Sequence, residues 1–338
     1  MVETKIKLFL LHSWHFLKIV AKKITPILPI WGVSLALAII FLFAGKILDQ
    51  NSQGSITTAS AELAPVPQVL GASTDIRGET ASLNAIPEFT GQINDATVSA
   101  QSFLVADMAT KTILAEKNSD QKEAIASLTK LLTALVTYEN VDINTTVPIT
   151  TQDVFSVSPI LGLRPGDNVA MLDVFNAMLV GSCNDAARTL ANHVQDITGK
   201  DFVGLMNQKA QELGMDESHF SNPLGFDSPD NYSTAHDLFT LVQTVEQLSV
   251  FTSLGKKTGY TFSGDFGSYH AVSTNKLVGK FPEIEAVKTG STAQAGQAMI
   301  SKASENGHTV VIIVLNSRDR DADTTNLESQ VFENTQWQ

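Results

Sequence analysis

The apolar positions of this chain change period along its length, and each change predicts an element. Ala100 to Met108 and Thr112 to Glu116 are largely apolar runs divided by Thr110 and Lys111, which predicts two strands joined by a short polar turn. Gln297 to Lys302 and Thr309 to Leu315 predict a second strand pair, split by Glu305-Asn306-Gly307, a sequence suited to a tight hairpin. Between the pairs the spacing becomes three-and-four. Met171 to Val180, Asn184 to Val194, Phe202 to Leu213 and Thr234 to Leu248 each predict a helix with a buried face. Leu128, Leu131, Leu132, Leu135 and Val136 predict another, opening at Ser127 and uninterrupted by glycine or proline until Pro148. Strands at both ends with helices between them predict an α/β fold of the α+β kind: a sheet built from N- and C-terminal segments, with a helical region inserted.

The first hundred residues follow a different pattern. Ile24 to Gly45 holds no charged residue, and as a helix it would cover roughly 33 Å, enough to cross the hydrocarbon core. Lys5, Lys7, Lys18, Lys22 and Lys23 precede it and only Lys46 follows closely, so the positive-inside rule places the N-terminus in the cytoplasm and the rest outside. A cleaved signal peptide is the alternative, with Ala59-Ser60-Ala61 as the small-residue site. The apolar run is longer than a usual signal core and that site lies far beyond it, which favours the uncleaved anchor. From Asp49 to Asp95 the chain is rich in Ser, Thr, Ala, Gly and Pro, as a linker would be. The expected organisation is a basic cytoplasmic segment (1–23), a transmembrane anchor (24–48), a flexible linker (49–95) and a folded body (96–338), giving a single-pass protein of the cell membrane with an extracytoplasmic body.

Composition narrows the chemistry. The 338 residues are 43% hydrophobic, ample for a large core, and the net charge is −12 with the N-terminal lysines included. A body this acidic excludes nucleic acid as a natural partner. Cys183 is the sole cysteine, so no intramolecular disulfide forms, and it reads as a small buried apolar residue. His193, His219, His236, His270 and His308 lack the paired spacing of a metal site, and no Gly-x-Ser-x-Gly elbow is present. Neither a metal nor a cofactor is expected.

Three strings remain: Ser127-Leu-Thr-Lys130, Ser182-Cys-Asn184 and Lys288-Thr-Gly290. A serine and a lysine three residues apart on a helix share one face, so a neutral amine can accept the hydroxyl proton without a histidine. A second serine with a nearby amide, and a lysine-threonine-glycine strand edge, would add proton relay, substrate hydrogen bonds and carboxylate attraction. Each string also occurs elsewhere. Ser-x-x-Lys recurs at Ser119, Ser253 and Ser273, Ser-x-Asn at Ser82, Ser273 and Ser304, and Lys-Thr-Gly at Lys257. Context selects among them: Ser127 opens a buried-face helix, where a lone serine would read as an N-cap, whereas Ser119 sits in a polar turn. Lys257-Thr-Gly259 precedes strand-like Tyr260-Thr-Phe262 and lacks the Thr-x-x-x-Gly continuation of Thr292 to Gly296.

With these motifs placed, Val98 to Glu333 resembles the D-alanyl-D-alanine carboxypeptidases, the low-molecular-mass penicillin-binding proteins. Phe103-Leu-Val-Ala-Asp107, Leu114-Ala-Glu-Lys117, Asn184-Asp-Ala-Ala187, Phe202 with Met206-Asn207, Asn222-Pro-Leu-Gly225, Asn231-Tyr-Ser-Thr234 and Lys288-Thr-Gly-Ser-Thr292 resemble that family's strings in its order. The resemblance implies a β-lactamase/transpeptidase-like fold, an antiparallel sheet flanked by helices with a helical subdomain. It implies that Ser127 attacks the bond between two terminal D-alanines of a peptidoglycan stem peptide, and that β-lactams acylate the same serine. Lys130 would take the proton, its pKa depressed by burial or by a nearby cation that Lys288 could supply. Ser182 would pass a proton to the leaving amine and Asn184 would hold the substrate amide. The N–H groups of Ser127 and Ser291 would form the oxyanion hole, and Lys288 and Thr289, with Gly290 beside them, would bind the terminal carboxylate.

The chain departs from the family pattern in three places. Cys183 stands where glycine is common. Arg318 and Arg320 follow the last strand, but no arginine immediately precedes Leu327-Glu-Ser329, so the arginine expected to help bind the carboxylate is unassigned. The extra C-terminal domain of many relatives is not expected, and the N-terminal helix would replace their tail as tether. A D,D-endopeptidase and a β-lactamase are alternatives within the fold. The latter would want an acid such as Asp185, Asp196, Glu212 or Glu217 to activate water. A non-catalytic membrane-tethered scaffold is the alternative from another class.

Overall fold

Val310 to Leu315 is apolar at every position and buried at every position, as a strand covered on both faces must be. The computed structural model describes residues 86–337, and this run forms the centre of the middle strand of a five-stranded antiparallel sheet. Its strands are β1 (Ser102–Asp107), β2 (Ile113–Lys117), β5 (Ile284–Thr292), β6 (Gly296–Glu305) and β7 (His308–Ser317). A separate hairpin pairs β3 (Gly259–Gly264) with β4 (Gly267–Val272). The order across the sheet is β5-β6-β7-β1-β2, so the two predicted strand pairs meet where β7 joins β1, Ile313 facing Leu104. The sheet's outer edge on the β5 side bears Lys288, Thr289 and Gly290.

The helices are α1 (Thr129–Asn140), α2 (Met171–Gly181), α3 (Asn184–Thr198), α4 (Phe202–Glu212), α5 (Ala235–Val245) and α6 (Arg320–Asn334). Strand alternation divides the apolar residues between two cores. Leu104, Ala106, Ile300, Val311 and Ile313 point to the side of α1 to α5, whereas Phe103, Val105, Met299, Ile312 and Val314 point to Leu327 and Val331 of α6. Every residue of α1 from Thr129 to Thr137 is buried, which makes it the central helix of its layer. Its threonines stay compatible with that burial by hydrogen bonding to carbonyls, Thr137 to Thr133 and Thr133 to Pro223.

Expected and observed boundaries differ mostly at helix ends, where capping decides. The helix expected from Asn184 to Val194 runs one turn further and stops at Gly199, which takes the left-handed conformation. Thr234 lies outside α5 as its N-cap, its side chain accepting from the Asp237 N–H. The end of the stretch expected as linker also differs. Glu88 and Phe89 pair with Gln336 and Thr335, and the Asn94 N–H donates to Gln330, so ordered chain begins before residue 96. No helix among the described residues is long and apolar enough to cross a membrane. The anchor expected over 24–48 lies outside the described residues, as do the basic segment and most of the linker.

Candidate active site

Ser127 does not cap a helix. It sits in a short 3-10 turn, Ala126–Leu128, that runs directly into α1, and the side chain makes no cap hydrogen bond. Ala126 holds a left-handed φ of 48°, a conformation that costs an L-residue about 1–2 kcal/mol and persists only where its surroundings enforce it. Two glycines do the enforcing. A Cβ on Gly225 would lie 2.0 Å from the Ala126 carbonyl oxygen, and one on Gly290 would lie 3.0 Å from the Ser127 nitrogen. The serine is thus gripped between the 222–226 loop and the edge strand β5 by backbone approaches that only glycine allows.

Lys130, one helical turn on, is completely buried, and its Nζ lies 2.9 Å from Ser127 Oγ. It also donates to Asn184 Oδ1 at 2.9 Å and to the Leu224 carbonyl. Burial pulls its pKa down to about 7. A neutral amine has two N–H groups and one lone pair. Asn184 Oδ1 and the Leu224 carbonyl can only accept, so they take both hydrogens and leave the lone pair for the Ser127 hydroxyl.

Ser182 occupies the break between α2 and α3 with a left-handed φ of 58°, and Asn184 is the first residue of α3. Lys288 Nζ, 2% exposed, donates to Ser182 Oγ at 2.8 Å and to the Thr289 carbonyl at 2.9 Å. Burial holds the Lys288 pKa well below the usual lysine range, with the charges of Lys130 and Arg320 adding to the effect. Of the two causes expected, burial is the one that depresses Lys130, whereas Lys288 is itself pulled down and does not stand as a fixed cation. Cys183 is buried and its thiol is pushed up to about 12, first by desolvation and then by Asp185, so it remains a neutral packing group.

The remaining motif residues line the same cleft. Thr289 Oγ1 meets Thr274 Oγ1 at 2.5 Å, Gly290 abuts the serine turn, and Ser291 follows, exposed, on β5. Sequence reasoning left the arginine unassigned, and the structure supplies one. Arg320 opens α6 directly after β7, and its Nη1 donates to the Gly290 carbonyl at 2.7 Å, placing the guanidinium beside Lys288-Thr289-Gly290. The available signal was its position just past the last strand; expecting an arginine next to Leu327 put the search a turn or two too late.

Two backbone segments also went unseen. Leu224 offers its carbonyl to Lys130, and Val157 offers its carbonyl to Asn184 Nδ2 at 2.9 Å. Asp185 secures the second of these, accepting from the N–H groups of Leu161, Gly162 and Leu163. Its carboxylate is thereby occupied; Glu212 pairs with Lys209 and Glu217 with Lys122. Among the described residues no carboxylate hydrogen bonds to Ser127 or Lys130. The competing strings serve elsewhere: Ser119 donates to Glu116, and Lys257 lies over the Tyr260 ring at the start of the β3–β4 hairpin.

Comparison with known proteins agrees with this geometry. The profile of the D-alanyl-D-alanine carboxypeptidase family matches residues 89–319. The D-alanyl-D-alanine carboxypeptidase DacB2 of Mycobacterium tuberculosis is 31% identical over 220 residues, which cover 64% of this chain and 74% of that protein. DacF of Bacillus subtilis is 27% identical over 69% of this chain and 62% of its own length, so the chain spans about three fifths of that relative. Among solved structures, the Streptomyces K15 DD-transpeptidase superposes with a TM-score of 0.67 at 27% identity, covering 72% of this chain and 100% of that one. A D-alanyl-D-alanine carboxypeptidase from Mycobacterium tuberculosis gives 0.64 at 28% identity, over 72% of this chain and 94% of its own. With the serine, its buried amine and the lysine-bearing strand edge assembled in one cleft, the chain belongs to the D-alanyl-D-alanine carboxypeptidase family and is a serine hydrolase.

Proposed function

We propose that the chain removes the terminal D-alanine from peptidoglycan stem peptides through an acyl-enzyme on Ser127. The observation that carries this reading is the Lys130 amine, buried, 2.9 Å from Ser127 Oγ, with its other contacts made to acceptors only. The substrate lies along the free edge of β5 as an added strand. Ser127 Oγ attacks the carbonyl of the penultimate D-alanine while Lys130 takes the hydroxyl proton. The N–H groups of Ser127 and Ser291 hold the oxyanion. The C–N bond then breaks, and Ser182, linked to Lys288, passes a proton to the leaving D-alanine amine. Water hydrolyses the ester and releases the shortened stem.

Asn184 keeps one Nδ2 hydrogen for the substrate backbone while the other serves Val157. Lys288, Thr289 and Arg320 receive the terminal carboxylate. A charge-assisted hydrogen bond is worth about 1.5–3 kcal/mol, so Arg320→Ala is expected to raise KM for a D-Ala-D-Ala peptide about 10- to 100-fold, with partial recovery in Arg320→Lys. Steady-state kinetics on the variants checks this, and an unchanged KM would remove Arg320 from the carboxylate site.

The strained β-lactam amide enters the same path and stops at the ester. Mass spectrometry of the full chain after incubation with penicillin is expected to show one adduct, mapped to Ser127. A folded protein that takes up no adduct, or takes it up at another serine, would overturn the assignment. The charge-free run from Ile24 to Gly45 with its preceding lysines supports placing this activity on the outer side of the cell membrane, tethered from within.

A further inference from the structure

A second feature borders the cleft on the side away from β5. Phe155 and Phe226 stack at 5.5 Å between ring centroids, joining the loop that carries Val157 to the loop that carries Leu224. Behind them lies a groove of about 300 Å³, lined by Phe155, Phe226, Pro223, Arg188 and Gln195. Arg188 stands on α3 one turn beyond Asn184 and so on the same face, its guanidinium 5.3 Å from the Phe155 ring. Gln195 lies two turns further along that face; its oxygen accepts from the Phe202 N–H, which leaves its amide hydrogens for the groove.

Arg188 is anomalous for this protein. Half-buried lysines here have carboxylate partners, Lys209 with Glu139 and Glu212, Lys302 with Glu246 and Glu285. Among the described residues Arg188 has no carboxylate within 4.0 Å and no hydrogen-bond acceptor, although the chain carries a net charge of −12 and offers many. A guanidinium left unpaired in an acidic protein, propped on an aromatic face beside an apolar groove, is built for an anion that arrives with a ligand. The terminal carboxylate of the substrate is not that anion, because Lys288, Thr289 and Arg320 receive it at the β5 edge. In the binding mode proposed above Asn184 holds the acyl part of the substrate, and Arg188 stands one turn beyond it on α3.

We propose that this groove is a specificity subsite for the acyl arm of the stem peptide, taking a side chain that ends in a free carboxylate: its aliphatic part rests on Phe155 and Phe226, and its carboxylate pairs with Arg188 and Gln195. The proposal rests on the carboxypeptidase reading and deepens it. Subsite selection then depends on an ionised carboxylate, and amidation of that group is the modification the site rejects.

The test compares N-acetyl-L-2-aminopimelyl-D-alanyl-D-alanine with its side-chain carboxamide, which differ only in that charge. Calorimetric titration of the full chain carrying Ser127→Ala measures Kd without turnover. The free acid is expected to bind about tenfold more tightly than the amide, a difference of ~1.4 kcal/mol. Adding Arg188→Gln is expected to bring the ratio to about one, and Arg188→Lys to restore part of it. Equal affinities with Arg188 in place, or a ratio that survives Arg188→Gln, would overturn the subsite. Release of D-alanine from the free acid by the unmutated chain tests the carboxypeptidase reading separately. Its failure, with penicillin still acylating Ser127, would sink that reading while the Kd ratio still decides the groove.

Discussion

Lys130→Ala is expected to slow acylation of Ser127 by about 10³-fold, the middle of the range for loss of a general base. The pH dependence should change with it. Only the neutral amine can take the hydroxyl proton, and burial sets its pKa at about 7, so acylation in the unmutated protein rises as pH increases through neutrality and then levels. In the variant that rise disappears. Stopped-flow acylation by a chromogenic β-lactam between pH 5.5 and 9 reads both quantities. A variant that keeps the inflection near 7 would assign it to another group, Lys288 being the nearest candidate through its bond to Ser182. Removal of the amine also strips Asn184 Oδ1 and the Leu224 carbonyl of a donor, so a thermal melt on the same sample separates a chemical loss from a collapsed cleft.

Gly225→Ala is the second large effect. The residue has φ of +86°, and the added methyl would lie 2.0 Å from the Ala126 carbonyl oxygen, which cannot be relieved by a side-chain rotation. Left-handed strain of about 1–2 kcal/mol and overpacking of about 1–3 kcal/mol together predict a loss near 3 kcal/mol, a fall in Tm of about 6–12 °C for a body of this size. The displaced atoms belong to the turn that holds Ser127, so acylation falls as well. Gly199→Ala provides the control. It has φ of +70° and open space around its Cβ, so it should cost only the backbone strain and leave acylation unchanged. Equal destabilisation in the two variants would show that the close approach at Gly225 carries no extra weight.

What could be read from the chain and what could not divide along a physical line. Period-two and period-three-to-four patterns mark surfaces that must be buried, and both hairpins of the sheet and the helices between them were legible because each buries a continuous face. The pairing of Glu88-Phe89 with Thr335-Gln336 was not, since two residues carry no period and the partners lie at opposite ends of the body. Ser127, Lys130, Ser182, Asn184 and Lys288 were legible because their chemistry resides in side chains at short fixed spacings. The carbonyls of Val157 and Leu224 act through the backbone, which every residue has, and no residue type announces them. Ala126 takes a left-handed conformation without the glycine that would signal it; the signal sits in Gly225 and Gly290, the residues that press on it. The choice between burial and a neighbouring cation as the source of the Lys130 shift could not be made from the sequence, because the depth of a side chain is a tertiary property.

The meeting of β7 with β1 has a consequence for the order in which the protein acquires its activity. Leu104 and Ile313 are partners in the sheet, so the nucleophile is made early in synthesis while the strand that grips it, and Lys288 upon it, come near the end. Folding must close that long loop before the reward of the pairing is collected, which places it among slowly maturing topologies. A ribosome-bound or truncated chain ending before β5 holds Ser127 and Lys130 but lacks one of the two glycine clamps and the carboxylate site. Such a chain is expected to take up no penicillin at Ser127, which would make labelling a timer for completion of the fold.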